Sequence, residues 1–334
     1  MHASPEDIAR AVTLVREGRL VAFPTETVYG LGADAFNAGA VERVFCAKGR
    51  PATNPLIVHV VDEAMAQRVC AEWPATASTL AARFWPGPLT LVLPKTDQVP
   101  GIVTADGPTV ALRCPSHPLT LALLETLGSP MVGPSANRSG YISPTCAAHV
   151  RESFDEGEVF ILDGGPCAGG IESTVFDLTQ SPPCVLRPGL LSAEDLAETL
   201  GVPIAEPSPR AHNEHNRSPG LHPSHYAPLT PTRLIEPGSL ERELQAVSDE
   251  TFAVVLGPDT LGCALMRPDT PPPHHFISMP SEPTAYAARL YAALHKADSM
   301  APGVILVVQP WPDESPTGLW LALADRLRRA TSPR

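Results

Sequence analysis

Apolar and polar positions along the chain form two runs of alternating helix and strand patterns, separated by a stretch that has neither. Ser4 stands where a helix N-cap would, with Pro5 at the first helical position and Asp7 completing a capping box. Ile8, Ala11, Val12 and Val15 then share one helical face, and Gly18 stops the helix. Leu20 to Phe23 is a short apolar run that predicts a buried strand. Asn37 predicts the cap of a second helix running through Lys48, with Val41, Val44 and Phe45 inward and Gly49 as terminator. The pattern continues with a strand over 56–61, a helix over 75–84, strands over 89–94 and 108–113, a helix over 117–127 and a strand over 130–133. This alternation predicts an α/β fold with a mixed sheet.

The period breaks at Glu206. Residues 207–229 hold almost no aliphatic side chains and many Pro, Ser and His, which predicts an extended linker. Beyond it, strands over 232–236, 252–257, 274–279 and 303–309 are interspersed with helices over 239–247, 284–297 and 317–329, the pattern of a small doubly wound domain. The expected division is therefore 1–206, 207–229 and 230–334. No repeat at a solenoid period is present.

Composition narrows the function classes. The 334 residues are 43% hydrophobic and 18% charged, too apolar for disorder, and no apolar run is long enough to span a bilayer. Net charge is −12, of which −10 falls within residues 1–206. That excludes a generally cationic nucleic-acid coat while leaving room for a local basic groove. Seven cysteines, odd in number and with no CxxC pair, argue against a disulfide framework and a zinc ribbon. The first residues are acidic and helical, unlike a signal peptide, so a cytoplasmic protein is expected.

Several segments offer chemistry. Pro24 to Gly32 follows a strand and precedes a helix, where α/β folds place ligands. Its two threonines, one carboxylate and two glycines suit either a ligand edge or a plain tight connection. Gly30-x-Gly32-x-x-Ala35 only superficially matches a dinucleotide fingerprint, because Gly49-Arg50 stands where the acidic residue belongs. In Lys48 to Leu56, two cations on a proline-stiffened loop suit phosphate, and equally suit a helix C-terminal dipole. His59, in the next apolar strand, reads as a hydrogen-bonded core histidine.

Arg113 ends the apolar strand Thr109-Val110-Ala111-Leu112; it either meets a protein carboxylate or awaits an anionic ligand. Gly133-Pro134-Ser135-Ala136-Asn137 opens a polar turn cluster that continues to Ser139, Ser143 and Thr145. Asn137 takes the second glycine position of a hydrolase elbow, so that motif is absent. Ser173 and Thr174 place hydroxyls at a strand start, and Arg187 ends another strand. There is no P-loop and no HExxH. His212, His215, His222 and His225 form two HxxH pairs in the linker, a weak metal set without thiolates.

In sequence order, FPTETVYGLG (23–32), KGRPxxNPL (48–56), WPGPLTLVL (85–93), TVALR (109–113), GPSANxSG (133–140), SPT (143–145), GGIESTVFD (169–177), LRPG (186–189) and SPGLHPSHYAP (218–228) closely resemble the YrdC-like family in its two-domain, threonylcarbamoyl-AMP synthase form. The resemblance is dense over residues 8–228 and rests on length and α/β pattern over 230–334. It implies a twisted mixed-sheet YrdC-like domain followed by a small Rossmann-like doubly wound domain. It also implies synthesis of L-threonylcarbamoyl-AMP and pyrophosphate from L-threonine, bicarbonate and ATP, supplying threonylcarbamoyl-adenosine modification of tRNA next to the anticodon. By motif, Thr27, His59, Arg113, Gly133 and Ser173 are implied to hold L-threonine, with Arg113 on its carboxylate. Lys48, Arg50, Asn54, Thr109, Ser135, Ser143, Arg187 and Tyr226 are implied to contact ATP, with Lys48 near its phosphates and Tyr226 on a linker that folds over the nucleotide.

No residue is implied to act as a catalytic acid or base. Mg2+ is implied to arrive with ATP, its protein ligands unspecified. A tRNA threonylcarbamoyl-transfer machinery is implied downstream, with no membrane partner and stable tRNA binding left open. In the family pattern a basic residue precedes the His-Tyr-Ala-Pro motif; here Pro223-Ser224 precedes it. Three alternatives stand beside this reading. One is a carbamoyl-transfer module of the same fold, which would carry the cysteine zinc motifs absent here. The second is an RNA-binding module, which would show steep salt dependence. The third is a member that binds ATP but has lost the synthase activity.

Overall fold

The computed structural model describes residues 3–205, 226–247, 250–265, 274–311 and 315–332. Contacts divide the chain into two units, Met1–Ser139 with Ser143–Leu221, and Gly140–Ile142 with His222–Arg334.

In the first unit the strands are β1 (Val21–Phe23), β2 (Gly30–Asp34), β3 (Ile57–His59), β4 (Leu89–Pro94), β5 (Thr109–Arg113), β6 (Met131–Val132), β7 (Phe160–Ile161), β8 (Thr174–Asp177) and β9 (Cys184–Arg187). Its helices are α1 (Pro5–Arg16), α2 (Ala38–Lys48), α3 (Glu63–Ala66), α4 (Ala75–Phe84), α5 (Gly101–Thr104), α6 (Pro118–Leu127), α7 (Ala147–Arg151) and α8 (Ala193–Leu200). The strands form one mixed sheet in the order β7-β1-β2-β6-β3-β5-β4-β8-β9. Local signals act as expected at both predicted caps. Ser4 and Asp7 exchange the two capping-box bonds, Asn37 accepts from Ala40 N–H, and Gly49 adopts φ +60 at the end of α2.

One expectation is corrected. The Pro24–Gly32 segment does not lead straight to a helix: Gly30–Asp34 is β2, paired antiparallel with β1. Its glycines resemble turn residues but serve packing. A Cβ on Gly30 would lie 2.6 Å from Phe23 Cζ, and one on Gly32 would lie 2.4 Å from Met131 Cε. A side chain at either position would displace the ring or the methionine that covers the strand.

Successive strand residues face opposite sides of a sheet, so register sorts this unit into two faces. Leu31, Ala33, Val58, Leu91, Leu112, Val132 and Phe176 belong to the main apolar cluster on one face. On the other face α1 and α6 cover only the β1 and β6 end, through Val12, Val15, Leu123, Leu124, Phe23 and Met131.

The second unit is a wholly parallel sheet of β10 (Thr232–Ile235), β11 (Ala253–Gly257), β12 (His275–Ser278) and β13 (Val304–Val308), in the order β10-β13-β11-β12. Parallel neighbours require crossovers, which contain α9 (Leu240–Gln245), α10 (Asp259–Leu265) and α11 (Pro283–Ser299); α12 (Leu319–Ala330) follows the last strand. Tyr226 belongs to this unit and adopts φ +63. Its ring stacks on Tyr291 at 5.7 Å, and the Arg326 guanidinium lies 5.2 Å from its centroid. Most of the predicted linker, including the four linker histidines, lies outside the described residues. Among the described residues no helix is long and apolar enough to cross a membrane.

Candidate active site

Register assembles a row of side chains across the face opposite the main core. His59 pairs with Arg113 between β3 and β5, and with Met131 between β3 and β6. Leu91 pairs with Leu112, which makes Thr90 and Arg113 the next facing positions. Thr90 pairs with Val175, and Val175 with Arg187. His59, Arg113, Thr90 and Arg187 thus come to one face from four strands. Thr109 lies on the same face two alternations before Arg113.

The arginine at the centre is held on three sides. Arg113 Nη2 donates to Glu26 Oε1 at 2.6 Å, Nη1 to Thr27 Oγ1 at 2.9 Å and Nε to Gly87 O at 3.3 Å. Thr27 Oγ1 is also 2.8 Å from Thr25 Oγ1, which closes the turn through Val28 O at 2.6 Å. Burial pushes the Glu26 carboxyl up, but the Arg113 charge and hydrogen bonds outweigh it and hold the group below the usual carboxylate range. Of the two readings the sequence leaves open for Arg113, a protein carboxylate is therefore present.

Beside it, His59 is 2% exposed, and its Nδ1 is a buried atom with no hydrogen-bond partner. Burial, then the Arg113 charge, lowers its pKa well below the ordinary imidazole value. The ring is neutral at pH 7 and keeps one unused polar nitrogen, so the core-histidine reading accounts for its burial but not for that atom. Gly133 leaves the room this ring needs: a Cβ there would stand 2.6 Å from both His59 Nδ1 and Phe23 Cζ.

A second cluster adjoins the row. Thr90 Oγ1 and Ser173 Oγ are 2.8 Å apart. Arg187 Nη2 donates to Ser173 O at 2.8 Å and to Ser173 Oγ at 3.2 Å. Ser143 donates to the Glu172 carboxylate at 2.6 Å. Arg50 wraps its own loop, with Nε donating to Asn54 O and Nη2 to Pro55 O. Ser135 and Asn54 are half-buried, and Ser135 bridges to Gly30.

Two residues expected at the nucleotide have partners within the protein. One is Lys48. Its Nζ is buried and donates to Ser135 O and Asn137 O, both at 2.5 Å. Burial, then Arg50 and Arg138, lowers its pKa well below the ordinary lysine value. Lys48→Met is expected to destabilise the protein by about 2 kcal/mol, since it removes the shared donor that ties the Ser135 and Asn137 carbonyls to α2. Denaturant unfolding checks this; an unchanged midpoint would show that the turn holds without the lysine. The other is Tyr226, which stacks on Tyr291 and lies beside Arg326 within the second unit.

Glu26 and Thr25, from the possible ligand edge at 24–32, join these clusters, as do Glu172 and Thr90, to which the motifs assign no role. Glu26 and Glu172 adjoin Thr27 and Ser173 in sequence. A carboxylate next to a chosen hydroxyl, in a chain with strand-end arginines, was the available signal.

The structure is an α/β protein with a mixed sheet, one face of which gathers two buried arginines, a neutral histidine and several hydroxyls, the donor chemistry that suits anions. The Sua5/YciO/YrdC family model, described as telomere recombination, matches residues 13–189, and a threonylcarbamoyl-AMP synthase C-terminal domain model matches 191–332. The chain belongs to this family in its two-domain form. It is 40% identical over 341 residues to threonylcarbamoyl-AMP synthase of Bacillus subtilis, covering 98% of this chain and 93% of that one. It is 48% identical over 227 residues to that of Pyrococcus abyssi, covering 68% and 67%. The crystal structure of P. abyssi Sua5 complexed with L-threonine superposes with TM-score 0.85 at 39% identity, over 97% of this chain and 94% of that one.

Proposed function

We propose that this chain makes L-threonylcarbamoyl-AMP from L-threonine, bicarbonate and ATP, releasing pyrophosphate, as the first step toward threonylcarbamoyl-adenosine in tRNA. The observation that carries this is the Glu26–Arg113–Thr27 cluster beside neutral His59 and Gly133, in a chain that matches an L-threonine-complexed relative over nearly its whole length. Arg113 receives the substrate carboxylate. Thr27, His59 and Ser173 offer hydrogen bonds around it, and Gly133 keeps the backbone close.

The chemistry asks for positioning. The threonine amine adds to carbon dioxide derived from bicarbonate and loses a proton, giving a carbamate. A carbamate oxygen then bonds to the α-phosphorus as the bond to the bridging oxygen breaks, and pyrophosphate leaves. Holding two anions in line and neutralising the leaving group supplies the rate. Arg50 and Arg187 supply positive charge for the nucleotide, and Asn54, Thr109, Ser135 and Ser143 supply polar contacts. Lys48 contributes indirectly, by fixing the carbonyls of the turn that carries Ser135. The reaction class is nucleotidyl transfer. The donor chemistry of this face is guanidinium and hydroxyl, and the carboxylates of Glu26 and Glu172 are already engaged by Arg113 and Ser143. Magnesium fits as an ion carried on the triphosphate, which keeps several waters. The labile product is passed to a threonylcarbamoyl-transfer machinery acting on tRNA.

The test is pyrophosphate release from ATP with magnesium and bicarbonate, with and without L-threonine, using L-serine as control. Release that requires both threonine and bicarbonate is expected. ATP binding without threonine-dependent release would overturn the proposal in favour of a carbamoyl-transfer or inactive member.

A further inference from the structure

Glu26 has no part in the reaction as derived above, yet both of its carboxylate oxygens are engaged at the site. Its two oxygens have different partners: Oε1 accepts from Arg113 Nη2 at 2.6 Å and Oε2 from the Ser116 backbone N–H at 3.0 Å. Its own carbonyl accepts from Gly169 N–H at 2.6 Å. One side chain therefore joins the β1–β2 connection to the guanidinium and to the chain leaving β5, three residues beyond Arg113. Arg113 is 4% exposed and Glu26 17%, so the carboxylate is the more accessible member of the pair.

We infer that Glu26 is a positioning and selectivity residue for the amino-acid site, orienting Arg113 and cancelling its charge so that the site prefers a zwitterion to a simple anion. This rests on the reading that Arg113 takes the threonine carboxylate. The reasoning is electrostatic. An isolated buried guanidinium carries +1 and favours any small carboxylate. The Arg113–Glu26 pair carries no net charge, so an incoming carboxylate is welcome only when it brings its own positive group. A free amino acid does so; its deaminated analogue does not. The bond to Glu26, with those to Thr27 and Gly87, also fixes the guanidinium plane before substrate arrives, and a fixed donor fork binds without first being ordered.

The test uses wild type, Glu26→Gln, Glu26→Ala and Arg113→Ala. Calorimetry gives the affinity for L-threonine, for ATP, and for 3-hydroxybutanoate, which is threonine without its amino group. Glu26→Gln is close in shape and loses only the charge. It is expected to weaken threonine roughly tenfold, as for a lost charge-assisted contact, to strengthen 3-hydroxybutanoate, and to leave ATP unchanged. Glu26→Ala is expected to shift the threonine-to-analogue ratio in the same direction and further. A merely structural carboxylate would lower thermal stability and weaken all three ligands together, leaving that ratio fixed; this result overturns the inference. If Arg113→Ala abolishes threonine binding while Glu26→Gln leaves the ratio untouched, Glu26 alone is misassigned. If Arg113→Ala leaves threonine affinity intact, the underlying assignment of Arg113 fails first.

Discussion

Arg113→Ala is expected to weaken L-threonine binding by about ten- to a hundredfold while leaving ATP affinity near that of the wild type. The range follows from the loss of a hydrogen-bonded contact to a charged group, about 1.5–3 kcal/mol. A second effect comes with it. The substitution leaves Glu26 largely buried without its cationic partner, held by the Ser116 N–H, and takes one of two partners from the Thr27 hydroxyl. Breaking a buried pair costs about 3–5 kcal/mol, and the partial exposure of Glu26 puts the expected loss at the lower end. Calorimetric titration with each ligand, alongside a denaturant curve, separates the two effects. Equal losses for threonine and ATP would mark the arginine as structural. Arg113→Lys is expected to recover little, since an ammonium cannot reach Glu26, Thr27 and Gly87 O in one plane.

Gly133→Ala is expected to abolish most threonine-dependent turnover through a single added methyl. The new Cβ would stand 2.6 Å from His59 Nδ1, 2.7 Å from His59 Cε1 and 2.6 Å from Phe23 Cζ. Neither ring can give way easily: both are buried, and they already meet edge-to-face at 5.3 Å between centroids. Overpacking of this kind costs about 1–3 kcal/mol. Here the strain is relieved by moving the histidine, so activity is expected to fall at least about tenfold even where the protein stays folded. Thermal unfolding and the pyrophosphate assay measure the two losses. Gly238→Ala is the matched control, because a Cβ there meets nothing within 4 Å. Full activity in Gly133→Ala would mean that the ring has room the structure does not show.

These two residues also illustrate what the sequence could and could not reveal. Caps are local signals, and Ser4 and Asn37 announced their helices correctly because donor and acceptor lie three residues apart. Long periodic helices and apolar strands were legible for the same reason. β2 was not, since Gly30 and Gly32 look like turn residues until the Phe23 ring and Met131 are placed over them. The short helices α3, α5 and α7 have too few positions to show a period. For the site, the strand-end arginine was visible as a problem, a charge in an apolar context, but its solution lies 87 residues away in Glu26. Lys48 is a similar case. A lysine on a glycine loop suits phosphate, and its bonds to the carbonyls of Ser135 and Asn137, 87 and 89 residues on, are invisible in the local sequence. The family motifs indicated which residues belong together; their individual tasks depended on long-range pairing.

The transverse row has a consequence for how the protein comes into being. Its members enter from β3, β4, β5 and β9, and the last of them, Arg187, is what grips Ser173. No half of the first unit contains a working subset. During synthesis the nascent chain carries an incomplete face until β9 has emerged and paired with β8, and contacts that span so much sequence form late. A ribosome that stops before that strand releases a fragment with Arg113 and Glu26 but no anchored Ser173. On the proposed assignment, the face that takes both substrates is complete only once β9 has joined the sheet.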